Sequence, residues 1–460
     1  MRIKADNNKQ HLLCCSLIFV FIFTACSQQQ SYTSTYEKLL EFSDGLKVIN
    51  THEHQHRPDE YNLDTLNFYH LLQRTYLMAD INSAGAKGID FDELSQLSPE
   101  EQWNTLGPFL DYTRNSSYYD HFVMGFKKLY GFDDIYFTQA NIAALSSRVE
   151  QNYSNYELWF DSAFQKAGFE IMFNDQYWNP FNVDIDTQHF ALVFHINAIV
   201  YDVCNRPAEG EAPRGAYEYA AKDGIGIQTL DDYLNYCDFL FQLNLSKNAV
   251  CVKNSMAYGR SLYYEEVSYE TAERLYLKPA YSLSPAERKQ LEDFMFHWVI
   301  KKSIEYDLPI QIHTGYLAGN GNYLENSDPL KLTNLFMEYR DAKFVLFHGG
   351  YPWTSQFVAL GKMFPNVYLD LVWLPQICRS KAIITLDEIL DCVPYNKVFW
   401  GGDCSFIEES TGSLELAKRV IAETLALRIE EGLLTEDLAY DIISSIFREN
   451  AIEVFKLDYE

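Results

Sequence analysis

The sequence predicts an α/β chain folded as a (β/α)8 barrel of the TIM type, with helical insertions over its C-terminal face. Three observations predict it. Eight short, nearly continuous apolar runs are spread along 460 residues. Stretches of helical periodicity separate most of them, which is how a parallel sheet covered by helices reads. Several of the runs also end on His, Lys or Asp, and a barrel gathers its C-terminal strand ends into one mouth.

The first run, LKVIN at 46–50, leads into THEH. FEIMFN at 169–174 follows FQKAG, a helix end closing on Gly168. FALVFHINAI (190–199), NAVCVKN (248–254), LPIQIHTG (308–315), AKFVLFHGG (342–350), NVYLDLVWL (366–374) and NKVFWGGD (396–403) complete the set. LEDFMFHWVIKKSIEYD, PWTSQFVALGKMF and SLELAKRVIAETLALRIEEG supply helices between the later strands. The chain is longer than a minimal barrel. Its surplus falls in a helical region at 60–150 and in insertions at 205–226 and 263–288. Long insertions after strands sit over the active face and can act as lids.

Apolar residues make up 47% of the chain, enough for a large core and too many for disorder. The net charge of -27 repels phosphate backbones, so nucleic acid is excluded as a partner and a small molecule is expected. Cys204, Cys237, Cys251, Cys378, Cys392 and Cys404 are widely spaced with no CxxC pair, unlike a disulfide framework or a zinc knuckle. Cys251 lies in an apolar run and reads as a small buried hydrophobe.

Arg2, Lys4 and Lys9 give a basic start, followed by LLCCSLIFVFIFTAC at 12–26. That apolar run is short for a membrane span. Charge, apolar stretch and small residues in this order describe an export signal. Thr24-Ala25-Cys26 resembles the lipobox of bacterial lipoproteins. The resemblance implies cleavage before Cys26, lipid on its thiol, and an exported protein anchored to a bacterial membrane, on the periplasmic face or the cell surface. Residues 1–26 are then the signal peptide, 27–40 a polar tether and 41–460 the barrel domain.

In an extended strand, His52 and His54 point to the same side. Lys253 closes the fourth run, His313 the fifth, His348 the sixth and Asp403 the eighth. Any one of these is common at a strand end or turn; their conjunction in this order carries the argument. Neutral imidazoles and a carboxylate suit zinc or a similar divalent ion. His11, His56, His70, His121, His189, His195 and His297 lack this placement or lie on helices, with His56 and His195 coming closest to it. Lys253 and Arg260 are placed to bind an anionic group, and the Arg fork suits a carboxylate. Tyr258, Tyr351 and Trp353 are candidates for a pocket wall. No GxSxG elbow occurs, and Cys404 has no evident base partner.

The segments THEH, VKNSMAYGRSL, LPIQIHTG, FHGGYPW, NVYLDL and GGDCSFIEE, between residues 46 and 410, resemble the amidohydrolase superfamily and, within it, the amidohydrolase-2 branch. The resemblance implies one divalent metal, zinc, held by His52, His54, His313 and Asp403, with His348 beside it to polarise or transfer a proton. In two-metal relatives a strand-four lysine is carboxylated and bridges both ions, and His313 and His348 then serve mainly the second. In one-metal relatives that lysine faces substrate. Lys253 fits either, and one metal is the reading taken. The implied enzyme is a metal-dependent hydrolase whose activated water attacks a small amide, lactone or ester of a carboxylate-bearing substrate. Asp403, His348 and Lys253 would be catalytic, and Arg260 and Tyr258 would bind substrate. A decarboxylase or uronate-type isomerase on the same site is the first alternative. A catalytically inactive binding lipoprotein is the second.

Overall fold

Eight parallel strands pair in sequence order: β1 (Val48–Glu53), β2 (Phe169–Asn174), β3 (Phe190–His195), β4 (Ala249–Asn254), β5 (Ile310–Ile312), β6 (Phe344–Leu346), β7 (Val367–Asp370) and β8 (Val398–Phe399). The computed structural model describes residues 32–60, 66–86, 88–208 and 210–458. β1 and β8 close the ring beyond the short β8 ladder. Thr51 N–H donates to Trp400 O at 3.3 Å, Asp403 N–H to His52 O at 2.8 Å, and His54 N–H to Cys404 O at 2.8 Å. The expected barrel is therefore present, and buried Val48, Phe173, Val252, Ile310, Val345 and Phe399 belong to its core.

The later strands are shorter than the apolar runs suggest. β6 stops at Leu346 and β8 at Phe399, because the chain beyond each turns into left-handed backbone. His348 has φ 63° and Asp403 φ 60°, conformations that a β-ladder cannot hold. The third run ends as strand at His195, and Asn197–Asp202 is already helix. Gly168, at φ 89°, caps the helix Tyr156–Ala167 as its sequence requires.

The region after β1 is helical as expected. It includes Phe68–Arg74, Leu77–Ser83, Pro99–Tyr112, Ser117–Tyr130 and Gln139–Tyr153. Phe68, Phe122, Phe126 and Phe137 form its aromatic core, with Phe68 and Phe137 rings 5.0 Å apart. The two later insertions carry the short helices Ala216–Lys222 and Tyr269–Tyr276.

The N-terminal expectation needs one correction. Residues 32–44 are helical, so the described part of the expected 27–40 tether is structured. Leu39 is fully buried, and Tyr32, Tyr36 and Leu40 pack on the core at helical spacing. The expected signal peptide and Cys26 lie outside the described residues. Among the described residues no helix is long and apolar enough to cross a membrane. The six cysteines from Cys204 onward are free thiols.

Candidate functional site

THEH places its side chains by simple alternation. His52 and His54 face the barrel mouth, and the glutamate between them serves the wall. Glu53 is fully buried, accepting from Asn50 Nδ2 at 2.5 Å, Gln55 Nε2 at 3.1 Å and Cys404 N–H at 2.9 Å. Burial raises its carboxyl to about 8 against these hydrogen bonds. The clamp ties β1 to the segment carrying Asp403. Both glycines of GGD are needed for it, since a Cβ on Gly402 would overlap Glu53 and one on Gly401 would crowd Thr51 and His52. Asp403 leaves this crossing at positive φ, the kind of strained position that a functional site maintains.

The result is a tight donor cluster. Asp403 Oδ1 lies 3.3 Å from His52 Nε2 and 3.1 Å from His54 Nε2. Asp175, the residue after β2, joins it with Oδ2 4.0 Å from His52 Nε2. Ligand atoms of His52, His54 and Asp175 all fall within 4.8 Å of one another, a group able to hold a metal ion. Lys253 Nζ lies 3.0 Å from His52 Nε2 and 3.9 Å from Asp175 Oδ2. A cavity of about 590 Å³ opens above, bordered by His54, Asp175, Lys253 and Asp403 of the cluster and by Arg74, Tyr177, His195, Ser255 and Tyr258.

The hydrogen-bond directions test whether a cation fits. His54 Nδ1 lies 2.8 Å from the Asp175 carbonyl, which only accepts, so that nitrogen carries the proton. A neutral His54 therefore turns its Nε2 lone pair toward the Asp403 carboxylate. Two electron-rich atoms at that distance need a proton or a metal ion between them. Asp175 Oδ2 and His52 Nδ1 are also buried without a hydrogen-bond partner among the described residues. The donor set fits a divalent ion.

Charge follows the same logic. Burial, reinforced by Lys253, lowers His52 to about 3, leaving the imidazole neutral. Burial pulls His54 down too, but Asp403 and Asp175 outweigh it and hold the ring above its ordinary value. Burial acts to raise Asp403, yet His52, His54 and His348 keep it well below the usual carboxylate range. Burial lowers Lys253 despite Asp175 and Asp403 nearby.

His313 and His348 form a separate pair. His313 Nε2 faces the Tyr316 carbonyl at 2.8 Å and His348 Nδ1 faces the Val372 carbonyl at 3.1 Å, so both of those nitrogens are donors. The remaining nitrogens, His313 Nδ1 and His348 Nε2, meet at 3.0 Å with two lone pairs. Burial depresses both rings, His348 to about 4, so this contact too calls for a shared proton or a cation.

Of the residues singled out from sequence, His52, His54, Lys253 and Asp403 come together. His313 borders the cavity through its pairing with His348, and His348 lies behind it. Tyr258 borders the cavity, its hydroxyl accepting the Ala318 N–H at 2.9 Å. Arg260 requires a correction. Its guanidinium is paired with Glu292 at 2.9 Å and with Asp293, and it does not border the cavity. Arg74, from the helical insertion, borders the cavity instead, alongside Lys253. Tyr351 and Trp353 also stay off the cavity wall. His56 stacks on Trp178 with ring centres 4.1 Å apart, beside a neighbouring cleft. Asp175 is a functional candidate that sequence reasoning missed, and His195 one that it weighed and set aside. Their signal was a polar residue at a strand end, present in FEIMFND and FALVFH but hidden by the lack of any recognised motif.

Residues 277–457 match the amidohydrolase family model. Protein fluG of Emericella nidulans is 28% identical over 223 residues, covering 45% of this chain and 25% of the fungal protein. The chain thus spans about a quarter of the length of that curated relative. Glucuronate isomerase from Caulobacter crescentus superposes with a TM-score of 0.73 at 15% identity, covering 94% of this chain and 95% of the isomerase. Uronate isomerase from Thermotoga maritima gives a TM-score of 0.74 at 14% identity, covering 92% of this chain and 97% of the isomerase. At these identities the two solved structures speak to the fold.

Proposed function

We propose that this chain, whose residues 277–457 match the amidohydrolase family model, is a metal-dependent hydrolase of a small, carboxylate-bearing amide, lactone or ester. One observation carries the reading: His52, His54, Asp175 and Asp403 converge beside a cavity that His54, Asp175 and Asp403 border, with Asp175 Oδ2 buried and without a hydrogen bond among the described residues. His52, His54, Asp175 and Asp403 would hold a divalent ion, whose chemistry there would be Lewis acidity and a water made acidic enough to ionise near neutral pH. Asp403 takes the proton of the attacking water and returns it to the leaving nitrogen or oxygen as the scissile bond breaks. Lys253 Nζ offers a positive charge to oxygen developing negative charge beside the cluster. Arg74 and Lys253, on the cavity wall, hold the substrate carboxylate, and the planar fork of Arg suits two-point binding.

A second reading keeps the site and changes the chemistry. Tyr177, Tyr201, Asn197, Ser255 and Ser405 give the cavity a hydroxyl- and amide-rich wall, which suits a polyhydroxylated acid of the kind a uronate isomerase handles. Product analysis in H₂¹⁸O separates the two. Hydrolysis places the label in product, isomerisation leaves the mass unchanged, and decarboxylation releases CO₂.

Metal content tests the common premise. The purified protein is expected to hold about one zinc per chain, lost in His52→Ala and retained in Lys253→Ala. About two, falling in Lys253→Ala, would instead mean a carboxylated lysine bridging two ions, with the His313–His348 lone pairs turned to the second. No bound metal after reconstitution would overturn the proposal and favour a binding lipoprotein.

A further inference from the structure

The two oxygens of Asp175 have different surroundings. Oδ1 lies 2.8 Å from His195 Nδ1, while Oδ2 takes no hydrogen bond among the described residues and lies 4.0 Å from His52 Nε2. Oδ2 has Lys253 Nζ at 3.9 Å and His52 Nε2 beside it, so a buried carboxylate oxygen faces the cluster with no hydrogen bond of its own. We infer that His195, held on its far side by Ser255 and Asn197, is the positioning residue that fixes Asp175 so that Oδ2 is presented to His52 and His54. The inference rests on the metal-site reading above and adds to it the three residues that build the site's third side.

The proton directions support it. Asn197 Oδ1 accepts the Ser255 backbone N–H at 3.0 Å, so the amide orientation is set and Nδ2 is the group facing Ser255 Oγ, at 2.9 Å. Ser255 Oγ accepts there and keeps its own proton to donate. His195 Nε2 lies 3.5 Å away, at the far edge of hydrogen-bond range. On the other side of the ring, Asp175 Oδ1 can only accept, so Nδ1 carries the proton and Nε2 the lone pair. Every donor in the row Asn197, Ser255, His195 points toward Asp175. Such a row strengthens the terminal hydrogen bond and favours an ionised carboxylate, the form a cation needs.

The backbone makes the row possible. Asp175 follows β2, His195 ends β3 and Ser255 follows β4, three neighbouring strand ends. His195 is in register with Lys253 across the β3–β4 ladder, and Ile196 N–H donates to Lys253 O at 3.0 Å. The ring is thus carried on the sheet itself, and such outer partners orient metal ligands.

The test is the Zn²⁺ dissociation constant of the full chain, read by competition with a chromophoric chelator. His195→Phe is expected to weaken Zn²⁺ binding about 10–100-fold. His195→Asn, whose amide can reach the Nδ1 position, is expected to recover most of that loss. Ser255→Ala leaves the ring in place and removes the donor behind its Nε2, so a smaller loss in the same direction is expected. It keeps the test open should His195→Phe not fold. Ser255→Ala and a folded His195→Phe that bind Zn²⁺ as tightly as wild type would overturn the inference alone, as would an unchanged Ser255→Ala if His195→Phe is unfolded. A wild-type protein with no affinity for Zn²⁺ would overturn the metal-site reading, and this inference with it.

Discussion

Asp370 ends β7 fully buried, with Oδ2 2.6 Å from Thr51 Oγ1 and Oδ1 accepting the Val372 N–H at 2.9 Å. Burial raises its carboxyl from 3.8 to about 7, against these two hydrogen bonds. The protonated form explains the geometry. Asp370 donates to Thr51 Oγ1, which donates onward to Trp400 O at 3.0 Å and braces the β1–β8 closure. A raised acid binds its proton more tightly in the folded state. Between about pH 4 and 7 the unfolded chain therefore has released a proton that the folded one keeps, and stability falls as pH rises. Asp370→Asn keeps the acceptor for Val372 and a donor for Thr51 without ionising. It should flatten this contribution and gain stability at pH 8, where each tenfold difference in proton affinity between the folded and unfolded chain is worth about 1.4 kcal/mol. Urea midpoints of both proteins at pH 5 and pH 8 check it, and parallel pH dependence would refute it. The same residue-level view explains what the sequence revealed of the site. His52, His54, Asp403 and Lys253 were legible because each ends an apolar run in a recognised context. Asp175 and His195 end apolar runs as well, but their use depends on one reaching the other across adjacent strands, which no linear pattern records. Arg260 was misread for the converse reason. Its partners Glu292 and Asp293 lie on the later helix Pro285–Glu305, and only the fold brings them to it.

The helices Ser117–Tyr130 and Ile407–Glu430 cross with their backbones in direct contact. A Cβ on Gly125 would overlap the Glu408 carbonyl oxygen, and one on Gly412 would overlap that of His121. Neither obstacle is the end of a flexible side chain, so the clash cannot be relieved locally. The crossing also anchors the helical insertion. Buried Glu408 accepts from Tyr130 Oη at 2.7 Å, Tyr153 Oη at 2.8 Å and Trp159 Nε1 at 3.1 Å. The insertion in turn reaches the site through Tyr76, whose hydroxyl donates to Asp403 O at 2.6 Å. Gly412→Ala is therefore expected to cost about 1–3 kcal/mol or more, the range of overpacking. It should also displace the Tyr76 contact. A lowered urea midpoint together with weakened Zn²⁺ binding is the expected pair of results, and an unchanged midpoint would count against the crossing. At this scale the barrel's eight strands and most helices were legible, because apolar runs and 3.6-residue periodicity are local. The strand ends were not, since Phe399 to Asp403 leaves the β8 ladder under contacts made by β1, some 350 residues away in sequence. The helix over 32–44 was missed because its polar flanks outweighed the Tyr32, Tyr36 and Leu39 stripe that docks it.

Across the whole chain acidic residues outnumber basic ones by 64 to 37, a net charge of -27. The mouth carries a different local pattern, with Arg74 and Lys253 facing a cluster built on Asp175 and Asp403. The two scales act on different ligands. At long range the negative field attracts a divalent cation and repels a carboxylate substrate; at contact range Arg74 and Lys253 hold that carboxylate. Salt separates these effects, because the Debye length falls from about 30 Å at 0.01 M to about 8 Å at 0.15 M ionic strength. The second-order rate of Zn²⁺ uptake by metal-free protein is expected to fall over that range, on the order of tenfold for a steered encounter. With a carboxylate substrate, kcat/KM should move the opposite way, rising as the repulsion is screened. Lys253→Met should leave the salt slope of metal uptake nearly unchanged, since one charge alters the far field little, even if it changes the final affinity. Stopped-flow uptake at several ionic strengths measures the slope. A salt-independent rate would mean that the acidic surface does not reach the mouth and that the cluster captures its ion by contact chemistry alone.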